Sequence, residues 1–180
     1  MTEKKLKIMV SSTVYGSDSD LDQIKYTLEN FGYKVLMSKE GSIYVPIGDN
    51  PTEACLKAVN DCDLFFGIIF PRYGSGITHL EFEKAVAENK PMFFVCHTYI
   101  EYTRKLMQQF MFDEDKNRLK FDIKPTSVLD SLKVVDMYNL VRHNWVQPFT
   151  KIDDILSFID TQFKDIESRR DELNKRNNND

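Results

Sequence analysis

The 180-residue sequence contains only three cysteines, Cys55, Cys62 and Cys96, an odd number at wide spacing. That excludes a disulfide framework and gives no metal-ligand spacing, so no metal site is expected. The longest apolar run, Leu64 to Phe70, has seven residues, whereas a membrane-spanning helix needs about 20. Basic residues are not in excess: 24 Lys and Arg stand among 28 Asp and Glu, for a net charge of -4. No DNA or RNA partner is therefore expected. The first residues, Met1-Thr2-Glu3-Lys4-Lys5, lack the apolar stretch and small-residue cleavage site of a signal peptide. The expectation is a reduced, cytoplasmic protein without membrane contact. Walker A, GxGxxG and GxSxG patterns are missing, as is any internal repeat.

What remains is the composition of a folded chain, 42% apolar and 29% charged. Lys5 to Ser11 reads as a buried strand. Ser17 to Asp20 offers helix N-caps, Leu21, Ile24, Leu28 and Phe31 follow at helical spacing, and Gly32 closes the helix. Tyr33 to Ser38 is a second strand, and a Gly, Ser and Pro-rich loop runs from Lys39 to Pro51. Pro51 opens a helix with an apolar stripe of Ala54, Cys55, Ala58 and Val59. Asp63 to Phe70 is apolar enough for a central parallel strand. A helix over Thr78 to Asn89, a strand over Met92 to Cys96 and a helix over Ile100 to Phe112 come next. Asp113 to Ser127 reads as a polar insertion or long loop, Leu132 to Met137 as the fifth strand, and Ile152 to Ile166 as a last amphipathic helix. Trp145 reads as an anchor for that helix, and His143 lies near the connection before it. The domain thus spans 1–167, and 168–180 forms a charged, Asn-rich, frayed or disordered C-terminal tail.

Alternating strands and helices predict an α/β fold around a parallel sheet with right-handed crossovers; the architecture expected is three-layer and flavodoxin-like, with five strands taken in the order 2-1-3-4-5. Such sheets bind ligands beyond the carboxyl ends of their strands, where strand order reverses, here between strands one and three. Two loops leave from that point. One begins Ser11-Ser12-Thr13 and continues through Tyr15 and Gly16; the other is Pro71 to Thr78, with Arg72, Tyr73 and Gly74. Hydroxyls, glycines and a helix N-terminus suit an anionic ligand such as a nucleotide, although ordinary turns share this composition. Glu81 is the candidate carboxylate. Glu83, two residues on, points about 200° away around the helix, and the alternative for Glu81 is a carboxylate that only complements the helix dipole. His97 ends the fourth strand on the same sheet edge as Ser12 and Arg72; His79 is a solvated helix-start histidine on this reading.

Ser11-Ser12-Thr13, Cys62-Asp63, Arg72-Tyr73-Gly74, Thr78 with Glu81-Phe82-Glu83, and Lys90-Pro91 occur in that order. In this order they resemble the TIR-like family catalogued as domain-of-unknown-function 4062. More distantly, the layout is similar to TIR enzymes that hydrolyse NAD and to nucleoside 2-deoxyribosyltransferases. Glu81 precedes Ala85 by four residues, like the glutamate of the transferases' Glu-x-Gly-x-Ala run, although the glycine is missing and Pro71-Arg72 replaces their Asp-Gly.

The resemblance implies cleavage of an N-glycosidic bond, with Glu81 catalytic and Ser11, Ser12, Thr13, Tyr15, Arg72, Tyr73, Gly74, Thr78 and His97 contacting substrate. It implies an NAD+ glycohydrolase or ADP-ribose cyclase in bacterial anti-phage immune signalling, with NAD+ as substrate and no cofactor. It also implies self-association and a separate effector or sensor protein. The alternatives are a nucleoside or nucleotide hydrolase or deoxyribosyltransferase-like enzyme using the same glutamate, and a non-catalytic TIR-like adaptor.

Overall fold

A computed structural model describes residues 5–13, 18–38, 43–48 and 50–177 of the chain. Strands β1 (Lys7–Ser12), β2 (Lys34–Leu36), β3 (Leu64–Ile69), β4 (Met92–His97) and β5 (Val146–Phe149) form one parallel sheet. Its order is β2-β1-β3-β4-β5, the order expected. β3 is buried at all six positions, which explains its uninterrupted apolar sequence.

Helices α1 (Asp18–Asn30), α2 (Pro51–Asp61), α3 (Ile77–Ala87) and α4 (Thr98–Met111) follow the first four strands. Gly32 ends the α1 segment with φ +100, a conformation only glycine adopts without strain. Asn50 caps α2, its side chain accepting from the Glu53 amide, and Pro51 occupies the first turn, where no amide is needed. The stripe Ala54, Cys55, Ala58 and Val59 is buried against the sheet.

Alternation along the strands makes two cores. Met9, Phe65, Phe94 and Cys96 meet α2, α3 and helix α5 (Lys133–Val141) on one face. Ile8, Val10, Phe66 and Val95 meet α1 and helix α6 (Ile152–Phe163) on the other. Between β3 and α3 the layers nearly touch at Gly67. A Cβ there would stand 2.5 Å from Phe94 and 2.6 Å from Phe82.

The second half of the chain departs from expectation in three places. The segment from Leu132 to Met137, expected as the fifth strand, belongs to helix α5 (Lys133–Val141). Its buried residues Val134, Met137 and Val141 are three and four apart, the spacing of one helix face. The fifth strand is instead Val146–Phe149, whose Pro148 hides the strand pattern. β5 is an edge strand, where a residue without an amide proton is tolerated.

The last amphipathic segment is two helices, α6 (Ile152–Phe163) and α7 (Ile166–Asn177), with Asp165 accepting from the Ser168 amide between them. The expected disordered tail is thus helical through Asn177. Leu173 is buried, and the Arg169 guanidinium lies 4.9 Å over the Phe93 ring while donating to the Gln162 carbonyl. Trp145 is largely exposed, but its ring does meet Phe158 of α6.

Residues 113–127 have no helix or strand, yet they do not stand free. Arg118 pairs with Asp136 of α5 at 2.9 Å, and the Ser127 carbonyl accepts from Arg72. In the 39–49 loop, Ile43 packs into the first core. Among the described residues no helix is long and apolar enough to cross a membrane.

Candidate functional site

Five polar or charged side chains, tyrosine and cysteine apart, are buried among the described residues: Ser11, Ser12, Thr13, Thr78 and Glu81. They come from the carboxyl end of β1 and the start of α3, the two places that flank the reversal of strand order. These are the buried groups from which a candidate site is built, Ser12 excepted, since it follows Ser11 on the strand. Elsewhere the cost of desolvating them is avoided.

Glu81 is the fifth residue of α3, and the first turn of α3 holds no acidic residue. The carboxylate is therefore not where a dipole-complementing acid sits. It is turned inward and 2% exposed. Ser11, beside Gly67 in the β1–β3 register and 1% exposed, donates its hydroxyl to Glu81 Oε2. Oε1 is enclosed and has no hydrogen-bond partner. Thr13 Oγ1 is likewise buried without one. Each such group costs about 1–3 kcal/mol, and a ligand hydroxyl or water would satisfy it.

Burial pushes the Glu81 carboxyl up from 4.5 to about 7, while the Ser11 hydroxyl and the Cys55 thiol pull it back down. Burial and then the adjacent Glu81 charge push the Cys55 thiol up to about 12, so the sulfur stays protonated. Glu83, by contrast, is more than half exposed and lies 3.7 Å from His79.

The β3–α3 loop runs alongside. Gly74 has φ +64, and a Cβ there would meet the Thr13 methyl at 3.8 Å, so this loop and the end of β1 are neighbours. Gly76, φ +85, caps α3 with backbone alone. Tyr73 packs beside Gly76, and its hydroxyl lies 3.0 Å from His79 Nδ1. Thr78 is buried in the first turn of α3.

The remaining expected residues are placed differently. The Arg72 guanidinium is held by the Pro71 and Ser127 carbonyls. Ser12 follows Ser11 on the strand and so faces the opposite side, its hydroxyl 3.4 Å from the Thr13 carbonyl. His97 caps α4, its Nδ1 accepting from the Tyr99 amide. Its ring lies 5.3 Å from Phe149, which belongs to the core on the α1 and α6 face. His97 is therefore across the sheet from Glu81, and burial holds its pKa below the usual histidine range. Tyr15 lies outside the described residues.

Sequence reasoning missed two neighbours of this site. Cys55 reads as one more apolar residue of the α2 stripe, and only the packing of α2 against α3 puts its thiol beside Glu81. Asp130 accepts the Tyr73 amide from 57 residues away, with nothing in its local sequence to signal it. No group of three or more His, Cys, Asp or Glu side chains among the described residues is placed to hold a metal ion.

The sequence model of the family described as Domain of unknown function (DUF4062) matches residues 7–144. No curated protein matches the chain. Two solved structures share its fold. The CMP N-glycosidase BcmB of Clostridium botulinum is 15% identical, with a TM-score of 0.51, over 86% of this chain and 98% of that one. The TIR domains of the activated Roq1 resistosome, which directly recognises the pathogen effector XopQ, are 12% identical, with a TM-score of 0.56, over 86% of this chain and 97% of that one.

Proposed function

The chain belongs to the DUF4062 family, and from that premise we propose that it is an enzyme cleaving the N-glycosidic bond of a nucleotide, with NAD+ as substrate and Glu81 as the working carboxylate. The observation that carries this reading is the Glu81 carboxyl itself: buried, one oxygen held by Ser11, the other without a partner. One oxygen is fixed, and a sugar hydroxyl admitted to the site would satisfy the other.

The chemistry follows from those atoms. As the bond between ribose C1′ and the nicotinamide nitrogen breaks, its electron pair leaves with the nitrogen and positive charge develops on C1′. A fixed carboxylate oxygen beside C1′ stabilises that charge. Nicotinamide departs as a neutral molecule from a cationic ring, so no acid is needed to protonate it. Water then adds to C1′ and gives up a proton, yielding ADP-ribose, or a ribose hydroxyl closes the ring in its place. Glu81 is the only Asp or Glu buried among the described residues. A single carboxylate fits this leaving group better than one that needs a separate acid.

A second reading, an N-glycosidase acting on nucleotides with an uncharged base, has one observation in its favour. With its pKa raised to about 7, part of the Glu81 population is protonated at neutral pH and can donate to a departing base. The adaptor reading has no such support, because an adaptor has no use for a buried, half-satisfied carboxyl.

Purified protein incubated with NAD+, and separately with a panel of nucleosides and nucleotides, distinguishes these readings by mass spectrometry. Nicotinamide release lost in Glu81→Gln and kept in Glu83→Gln supports the proposal. Release of a free base from a nucleotide in place of nicotinamide selects the second reading. Turnover unaffected by Glu81→Gln overturns the site. Self-association, a separate effector and a role in anti-phage signalling extend the proposal through the family resemblance alone. Sedimentation with and without NAD+, and phage challenge of cells carrying wild type or Glu81→Gln, test them.

A further inference from the structure

The β3–α3 loop contains two glycines in the left-handed region, Gly74 and Gly76, and no side chain caps the helix it leads into. Left alone, such a loop would be free to move, and Glu81 begins the next turn of that helix. Residues 126–133 hold it from outside. Both Asp130 carboxylate oxygens accept the Tyr73 amide, at 2.9 and 3.1 Å. The Ser127 carbonyl accepts from Arg72 at 3.1 Å. The Lys133 ammonium stands 5.3 Å over the Tyr73 ring.

This strap is itself braced. Asp122 accepts from the Ser131 hydroxyl and the Leu132 amide, and Thr126 exchanges hydrogen bonds with Leu129. Leu129 and Leu132 are buried in the core shared with α3. The tethers converge on Arg72 and Tyr73, immediately before the two glycines.

We propose that Asp130 is a positioning residue for the Glu81 site: by holding the Tyr73 amide it fixes the β3–α3 turn and so the point from which α3 presents Glu81 to Ser11 and substrate. The Asp130 carboxylate is engaged with the Tyr73 amide, and it acts through the loop. The proposal rests on the reading of Glu81 as the working carboxylate. It also gives residues 126–133 a task, that of a strap across the β3–α3 loop.

The test compares wild type with Asp130→Ala and Asp130→Asn, the second keeping one acceptor oxygen and the shape of the side chain. Two quantities are read: amide hydrogen exchange over residues 73–77, and kcat and KM on whichever nucleotide wild type turns over. In Asp130→Ala the loop amides are expected to exchange about tenfold faster or more while β1, β3 and the interior of α3 keep their protection. kcat is expected to fall by about tenfold or more, since small displacements of a reacting group are costly, with KM changed less than about threefold. Asp130→Asn is expected to lie between the two.

Unchanged loop exchange in Asp130→Ala overturns the tether. A freed loop with wild-type kcat overturns the positioning role. Failure of the underlying functional reading looks different: Glu81→Gln keeps wild-type turnover, and the exchange measurement still judges the tether.

Discussion

The hydroxyl of Ser11, at the carboxyl end of β1, donates to Glu81 Oε2 on α3 across 70 residues of sequence. This contact joins the two loops that flank the reversal of strand order. It also makes the two oxygens of Glu81 unequal. Oε2 accepts from the protein, and Oε1 has no hydrogen-bond partner.

Removing the Ser11 hydroxyl therefore has a directional effect. The hydrogen bond favours the ionised carboxyl, so Ser11→Ala moves the Glu81 pKa further above about 7. The reaction needs the carboxylate, so the rate rises with pH through the Glu81 titration. In Ser11→Ala that rise is displaced to higher pH, and kcat at pH 7 falls by roughly tenfold, the worth of a hydrogen bond to a charged group. A pH–rate profile of the two proteins checks this.

Glu81 also makes stability depend on pH. Its pKa is about 7 folded and 4.5 unfolded. Below 4.5 both states hold the proton and there is no penalty. Between 4.5 and 7 the unfolded chain ionises first, so stability falls as pH rises, and above 7 the loss is complete. Glu81→Gln has no such titration. Relative to wild type it gains on the order of 3 kcal/mol between acid and pH 8. Thermal unfolding of both proteins at pH 4.5 and pH 8 measures the difference, and parallel changes in Tm would contradict it.

Gly67→Ala places a methyl group 2.5 Å from Phe94 and 2.6 Å from Phe82, the neighbour of Glu81 on α3. Overpacking of this kind costs about 1–3 kcal/mol or more. Because one of the two rings that must yield, Phe82, belongs to α3, turnover is expected to fall along with Tm. Denaturant unfolding combined with kinetics checks both.

Leu173→Ala and removal of residues 166–180 test the helical reading of the C-terminal segment. Leu173 is buried with the second core, and Arg169 covers the Phe93 ring. Leu173→Ala is expected to cost about 2 kcal/mol or more. The truncation is expected to lower Tm further while leaving the Ser11–Glu81 contact, on the other face of the sheet, in place. A truncated protein as stable as wild type would return the segment to the status of a tail.

The sequence by itself determined most of the frame. Strands and helices through α4 are read correctly because local patterns set them: the apolar run of β3, the Asn50-Pro51 start of α2, and the glycine after α1. Alternation of these elements led to the parallel sheet, and the switch point of the expected strand order led to Ser11 and Glu81. The fifth strand was not legible, because the Val134-Val135 run suits strand and helix alike and Pro148 disguises an edge strand. The site's inner chemistry was decided by tertiary structure alone. Helical spacing separates Glu81 from Glu83, but the local pattern does not tell that Glu81 is fully enclosed or that Cys55 faces a carboxylate. Nor does it show that Arg72 is held by Ser127, or that His97 caps a helix across the sheet. These relationships depend on which surfaces meet when layers pack, and burial, which raises the Glu81 pKa, is a property of that packing rather than of any neighbouring residues in the chain.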